Sequence, residues 1–446
     1  MPVKSTSLVV PLLLAFLLAS PISIHAEILN VPDDYETIQS AIDAAEDVDT
    51  VLVSPGEYVE NINYNGKCLA VGSLFLINDD DVYVEKVIIN GDSRASVVSI
   101  IDVEGGSCTL AGVTIKNGWS DIYGGGVYCR GSTLLISNCV IIENAAIYGG
   151  GICFDDSSIA SLVSCIVEDN FAHVGGGIAI LDESHVSISN CTLNLNSGLQ
   201  DVGGIRVIDS STRIEDSIIK NSTADWSTCA ITTTRSNLEL NRCVITGNGA
   251  AASSALGFSQ SYVRLKNCTI CNNSGVLDYA DSTVFIINSI IYDNFYYWIG
   301  AHGIREGSLV VIGYSDLEYL SSAADTTEVH LLNSNIDVDP LFVDPGSGDY
   351  NLTEESPCVD RATPFFVWQG DTLVNIPEGG YNGFLPDMGA FESEFINAAP
   401  SSSLIPHPLC FTRRIPIPST HRLRSNTSCH IRARFRYRFI ILLERG

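Results

Sequence analysis

The feature that most constrains this chain is a period. Taking Val113, Cys139, Cys165, Cys191, Ser217, Cys243, Cys268 and Ser289 as reference points, five successive steps are 26 residues, followed by one of 25 and one of 21. Three positions before each stands an aliphatic residue: Leu110, Ile136, Leu162, Ile188, Ile214, Leu240, Leu265 and Ile286. Two positions after each stands another: Ile115, Ile141, Val167, Leu193, Ile219, Ile245, Ile270 and Ile291. A weaker earlier turn shows in Val84, Val87, Ile89 and Asn90. A fixed period of this size marks a chain of stacked units, each burying its apolar face on its neighbours.

Within a unit the aliphatics alternate, as in Leu134 with Ile136 and Val186 with Ile188. That is the period of strands with one face buried. The alternation breaks at a polar residue just before the reference position (Asn138, Ser164, Asn190, Asp216, Asn267), where the chain turns a corner. A third strand follows the glycine runs at 124–126, 149–151, 175–177 and 203–204, led by Val127, Ile152, Ile178 and Ile205. Three short strands and three bends in about 26 residues describe one coil of an all-β solenoid, a right-handed parallel β-helix. Leucine-rich repeats lack their consensus here, and propellers need longer periods.

An Asn follows each reference residue at five positions (Asn144, Asn170, Asn196, Asn248, Asn273, Asn294) or at four (Asn117, Asn221). Such a column is expected to line a bend as a ladder of amides bonded to one another and to the bend backbone.

The ends depart from the period. Lys4, an apolar stretch from Leu8 to Leu18 and Ile24-His25-Ala26 read as an export signal. The stretch is interrupted by Pro11, Ser20 and Pro21, short of the roughly 20 apolar residues that span a bilayer. Residues 37–47 place Ile38, Ala41, Ile42 and Ala45 on one helical face, suited to closing the N-terminal end of the solenoid. The chain thus divides into a signal peptide (1–26), an N-terminal cap with the first coil (27–82), the β-helix (83–336), a closing region (337–396) and a basic tail (397–446). Residues 1–400 hold 15 Lys and Arg against 51 Asp and Glu, while the last 46 hold nine Arg and one Glu. Both a basic tail and out-of-frame sequence fit that change. The acidic body should repel nucleic acid and anionic membranes, so neither is an expected partner; its charge suits solubility, and divalent cations or cationic partners.

The opening Val31-Pro32-Asp33-Asp34-Tyr35-Glu36-Thr37-Ile38-Gln39-Ser40-Ala41-Ile42-Asp43-Ala44-Ala45, with Asp49-Thr50-Val51-Leu52-Val53 and Pro55-Gly56-Glu57-Tyr58, resembles the cap and first coil of secreted bacterial right-handed β-helix proteins of the pectin-lyase-like superfamily. The segments Asp339-Pro340-Leu341-Phe342-Val343-Asp344-Pro345, Asp349-Tyr350-Asn351-Leu352, Ser356-Pro357-Cys358-Val359-Asp360 and Pro386-Asp387-Met388-Gly389-Ala390-Phe391-Glu392 are similar to the "choice-of-anchor Q" end of surface proteins. The resemblance covers roughly residues 28 to 393 and implies a fold and a surface location, not one activity. Two departures are Arg361-Ala362, where that family has a small residue and Gly, and the lack of a recognisable anchor after Glu392.

Fourteen cysteines in an exported chain would ordinarily suggest disulfides. Five of them share one inward column in which Ser217 and Ser289 also stand, and in-register stacking makes their Cβ vectors parallel. They read as small core residues. No zinc-type cysteine pairing occurs among the others, and no resident cofactor or metal is expected beyond a role for Ca2+.

No signature of pectin lyases, polygalacturonases, pectin methylesterases or alginate epimerases is found, so catalytic residues stay unassigned. The best position for a site is the segment between each Asn and the following glycines. It carries Trp119, Asp121 and Tyr123; Tyr148; Phe171 and His173; Asp201; and Asp225 and Trp226. Stacking places these along one edge, where aromatics can stack on sugar rings and carboxylates can bind hydroxyls or Ca2+; the plain alternative is solvated loop residues. Phe295-Tyr296-Tyr297-Trp298 reads as a cover for the last coils, and Asp79-Asp80-Asp81 as a solvated loop. The expected function is glycan binding or adhesion by an exported or cell-surface protein, with polysaccharide or surface glycans as partners. The alternatives are a carbohydrate-active enzyme, lyase or glycoside hydrolase, using the same edge, and a passive structural spacer.

Overall fold

The computed structural model describes residues 26–225, 228–249, 254–299, 307–318 and 329–396, with the side chains of 296–299 left aside. Residues 1–25, Trp226 and the basic tail therefore lie outside the described residues, as do the aromatic side chains of Tyr296, Tyr297 and Trp298.

One coil shows how the period becomes structure. Thr133–Ser137 enters the first sheet and Val140–Ile142 the second, and Ile152–Asp155 enters the third. Each pairs in parallel with the residue 26 positions on: Ile136 with Leu162, Ile141 with Val167, Ile152 with Ile178. Among the described residues the three sheets hold 13, 11 and 10 strands. Their inward residues merge into one apolar core running from Leu29 to Val329. Burial of like residues on like, at a strand spacing of about 4.8 Å, stabilises the stack.

The bends are where such a coil is hard to build, because their backbone amides are buried without strand partners. Three side-chain columns meet that need. In the first, the Asn144 amide N–H donates to Asn170 Oδ1 (3.0 Å), the Asn170 N–H to Asn196 Oδ1 (3.1 Å) and the Asn248 N–H to Asn273 Oδ1 (3.0 Å). Each Nδ2 donates both to the next Asn and back to a carbonyl, as Asn170 does to Ile141 (2.9 Å). Asn117 and Asn221, expected in this ladder, are not in it. They take left-handed corner positions (φ 54° and 53°), and Gly118 and Ser222 stand in the column instead.

A second column was not foreseen. Ser158, Ser184, Ser210, Ser236 and Ser261 each donate their backbone N–H to the hydroxyl of the next serine along, at 3.1–3.2 Å. The third is the cysteine column. The Cys165 N–H donates to Cys191 Sγ (3.4 Å) and the Cys191 N–H to Ser217 Oγ (3.1 Å), while the Cys165 thiol donates to the Ile136 carbonyl (3.5 Å). The five thiols are buried and unbridged. They are therefore polar ladder members as well as core residues, which explains why serine replaces cysteine there: both present one acceptor and one donor.

The sequence reading of three strands and a loop needs one correction. In the middle coils the segment after the Asn forms a fourth parallel ladder, Ala145–Tyr148, Phe171–Val174, Ser197–Gly198 and Thr223–Ala224, to which Trp119 and Tyr123 add bridges. The chain runs out along this ladder and returns through the glycines, so successive coils build a fin. The return is tight. A Cβ on Gly150 would lie 2.3 Å from the Phe171 carbonyl oxygen, and Gly149 takes φ 65°, so both positions require glycine.

Both ends are closed. At the N-terminus the helix Ile38–Ala44, capped by the Thr37 side chain, buries Ile38, Ala41 and Ile42 over the first coil; it stops three residues before Asp47. At the other end the antiparallel hairpin Phe365–Trp368 and Asp371–Asn375 folds back over the outer face of the first sheet, covering Phe285, Ile287 and Val311. Asp316, fully buried beneath the closing region, accepts from the Val338 N–H (3.2 Å) and the Cys358 thiol (3.3 Å). Burial pushes its carboxyl up to about 6.

Two outcomes are expected. Asn170→Ala orphans the Asn144 amide inside the bend and should lower unfolding stability by about 2–4 kcal/mol in chemical denaturation, against about 1 kcal/mol for Asn221→Ala at its exposed corner. Asp316 binds its proton more tightly folded than unfolded. Its contribution to stability is full below about pH 4 and is lost as pH rises through about 6, up to about 3 kcal/mol. Asp316→Asn should remove that part of the slope, seen as a flatter thermal midpoint between about pH 4 and 6.

Candidate functional site

The fin stands beside the outer face of the third sheet, and what lies between them follows from strand alternation. In Val127–Arg130, Val127 and Cys129 point into the core and Tyr128 and Arg130 point out. The Tyr123 ring, from the fin, stacks on Tyr128 at 5.4 Å and 13°, and Tyr148 packs against Tyr123 at 5.7 Å. The three half-buried rings cover Cys153, Ala179 and Leu181 on the following coils. Tyr128 donates its hydroxyl to Asp155 Oδ2 (3.3 Å), and the Asp156 N–H donates to Asp155 Oδ1 (2.9 Å). Burial, and then the neighbouring Asp182 carboxylate, raise the Asp155 carboxyl above the usual carboxylate range. The same burial raises the Tyr128 phenol.

Farther along the same face, Arg206 points outward from the third sheet and is largely buried by the fin. Its Nε lies 2.7 Å from Asp201 Oδ2 and its Nη2 donates to Thr234 Oγ1 (2.9 Å). Desolvation pulls the Arg206 guanidinium down more than Asp201 lifts it. This is a buried ion pair that fastens the fin to the sheet, and it commits Asp201 to structure.

On the fin itself Trp119 is 50% exposed, with its Nε1 donating to Asp121 Oδ1 (3.3 Å), and Phe171 is 40% exposed. Trp119 bridges Ala145, and Ala145 pairs with Phe171. The two rings therefore occupy one column two coils apart, about 9.6 Å by strand spacing. Ile122 and Leu199 add exposed apolar surface. His173 receives the Gln200 and Asp201 amides on its carbonyl, and Asp225 is exposed near the last fin strand. The residues expected from sequence are thus divided: Tyr123, Tyr148 and Asp201 face the third sheet, Trp119, Asp121 and Phe171 face solvent, and Trp226 lies outside the described residues.

Tyr128, Asp155 and Arg206 were missed. Their signal was present: after each glycine run the first and third residues are apolar, so the second and fourth must point out. Among the described residues no three His, Cys, Asp or Glu side chains converge where a metal ion would sit. The Asp79-Asp80-Asp81 carboxylates are partly used internally, Asp80 on the Val82 N–H and Asp81 on Asn138.

The ion pair gives a test that separates structural from exposed carboxylates. Asp201→Asn leaves Arg206 buried without its counter-charge and should cost about 3 kcal/mol in denaturant unfolding. Asp121→Asn and Asp225→Asn, at exposed positions, should stay within about 0.5 kcal/mol.

A family model described as a right handed beta helix region matches residues 70–224. No curated protein matches the chain. Among solved structures, the pectate lyase Pel9A is similar at 14% identity and a TM-score of 0.51, covering 83% of this chain and 97% of that one. A mannuronic acid specific polysaccharide family 6 lyase from human gut microbiota is similar at 12% identity and a TM-score of 0.31, covering 70% of this chain and 83% of its own. At such identities the likeness is one of fold. The family match ends before the closing region, whose surface-anchor resemblance rests on its own residues alone. The fold of this chain is a right-handed parallel β-helix, and it shares that fold with the pectate lyase.

Proposed function

We propose that this protein is exported and binds polysaccharide or cell-surface glycan along its fin without cleaving it. One observation carries the reading: Trp119 and Phe171 hold exposed rings in a single column, two coils apart. Aromatic faces are the surfaces on which sugar rings stack, and a column repeating along the solenoid axis suits a linear polymer. The export-type N-terminus supports an extracellular location. Among the described residues no helix is long and apolar enough to cross a membrane. The pectate lyase named above shares only the fold with this chain, and that a β-helix of this kind acts on a polysaccharide supports the reading.

A second reading has one observation behind it. Asp155, buried beside Tyr128 with its carboxyl raised, has the environment of a general acid. Incubation with a panel of neutral and acidic polysaccharides, with and without Ca2+, decides between the two by following retention of the protein and shortening of the polymer. Retention without shortening is expected. Trp119→Ala and Phe171→Ala should each weaken retention roughly fivefold, corresponding to about 1 kcal/mol per ring, and Asp155→Asn should leave it unchanged. Shortening that disappears in Asp155→Asn would replace binding by catalysis; neither retention nor shortening would leave a structural spacer.

A further inference from the structure

Cys68 stands apart from the other cysteines. Among the described residues it alone is not buried; the rest, Cys108 included, are. It sits where the N-terminal cap meets the solenoid. The preceding Lys67 donates its Nζ to the carbonyls of Ile42 (2.8 Å), Asp43 (2.8 Å) and Ala45 (2.7 Å), closing the end of the cap helix. The Cys68 N–H donates to Asp47 Oδ1 (2.8 Å), and its carbonyl accepts from the Val48 N–H (2.6 Å). Whatever holds residues 67 and 68 in place therefore holds the cap.

The coil that follows is a long one. From Val71 to its partner Leu110 the step is 39 residues, against 26 from Leu110 to Ile136, because the helix Phe75–Asn78 and the 3-10 turn Asp81–Tyr83 are inserted. At its far end the chain comes back beside Cys68. Ala70 pairs with Thr109, and the Thr109 N–H donates to the Leu69 carbonyl (3.1 Å). Cys68 is thus one residue out of step with Cys108, about 6 Å between Cα atoms by strand spacing and rise. Disulfides span roughly 4.4–6.8 Å. A Cβ on Gly106 would lie 2.2 Å from Cys68 Sγ, so that sulfur fills the space a side chain would take two residues before Cys108, and it meets the Cys108 thiol as a hydrogen-bond partner. The Cys108 thiol also donates to the Lys67 carbonyl (3.7 Å). Cys165 and Cys191, by contrast, stand directly in register with parallel Cβ vectors and stay apart.

We infer that Cys68 and Cys108 are a site of oxidative modification: they form a disulfide that fastens the N-terminal cap to the solenoid across this long coil. For a chain exported as proposed above, the compartment outside the membrane supplies the oxidant, a small-molecule or protein disulfide. Cys68, the reachable thiol, attacks that disulfide as its thiolate, giving a mixed disulfide and releasing one thiol. The Cys108 thiolate then attacks Cys68 Sγ, forming the Sγ–Sγ bond and releasing the second thiol. Two protein thiols are oxidised, one external disulfide is reduced to two thiols, and the two cysteine protons end on those thiols. Burial, and then the Asp47 carboxylate, raise the Cys68 thiol, and burial raises Cys108 to about 12, so the exchange quickens with rising pH. The bond encloses residues 69–107, and closing a loop of that length restrains the unfolded chain.

The full chain, purified under reductant, is exchanged into oxidised glutathione at about pH 8, near the ordinary cysteine pKa. It is then alkylated, digested without reduction and mapped by mass spectrometry. A peptide pair joined through Cys68 and Cys108 is expected, and the oxidised chain should unfold about 5–10 °C above the reduced one. Cys108→Ser should leave a lasting glutathione adduct on Cys68, because no second thiol is there to displace it. Cys68→Ser should show neither link nor shift. Free thiols at both positions, a persistent glutathione adduct on Cys68 in the chain without substitutions, a link from Cys68 to Cys410 or Cys429, or a Cys68–Cys108 link without a rise in the midpoint would each overturn the staple. Mapping of the chain without substitutions decides even where a variant fails to fold. Because the oxidant is added to purified protein, the outcome is separate from whether the chain is exported and from glycan binding at the fin.

Discussion

The structure depends on hydrogen-bonding the amides of its bends. Apolar columns make coils attractive to one another, but an apolar surface accepts many registers. A buried bend amide accepts few. In this chain the acceptor for each such amide comes from the equivalent side chain of the next coil: Asn170 for Asn144, Ser184 for Ser158, Cys191 for Cys165. Sliding one coil by a residue would strand the amides of its bends together, at a cost of order 1–3 kcal/mol for each buried group. The ladders therefore select the register, and the aliphatic columns then stabilise it.

Because the interior fixes the register, outward positions become aligned without being needed for folding. Every outward residue has a counterpart about 4.8 Å away on the next coil, so chemistry on such a surface comes in rows. The Tyr123 and Tyr148 pair and the Trp119 and Phe171 column are two such rows on the fin, and the line Arg213, Glu239, Arg264 is a third on the first sheet. Each is finished by something outside the repeat. The fin buries Arg206 and half-buries the tyrosines, and the closing hairpin folds over the outer face of the first sheet.

The inward half of this design was legible in the sequence because it repeats in chemistry as well as spacing. The aliphatic columns, the asparagine ladder and the unbridged cysteines could all be read from residues 26 apart. The serine ladder repeats just as strictly, at Ser132, Ser158, Ser184, Ser210 and Ser236, yet serine in a polar chain reads as surface, and its burial follows only once the bend is placed. Asn117 and Asn221 show the opposite error. An asparagine near the right offset looked like a ladder member, but it serves the left-handed corner one position earlier, a conformation that asparagine tolerates better than most residues. The fin strands carry no alternation, as their partners lie only in neighbouring fins, and so they read as loop.

The candidate site was half legible for a related reason. Position in the repeat tells which way a side chain leaves the coil, so Tyr128, Asp155, Arg206 and Arg264 could be sent outward from sequence. It does not tell whether an added segment then folds over them. Asp201 and Asp121 look alike in the chain, each an acid between an Asn and a glycine run. Only the fold shows one spent on Arg206 and the other open to solvent beside Trp119. The useful question for an outward charge in a solenoid is therefore whether a counter-charge already lies within reach. Asp201, Glu215 and Glu239 each have one, in Arg206, Arg213 and Lys266, and belong to the scaffold, while Asp121 has none and meets only the Trp119 ring N–H.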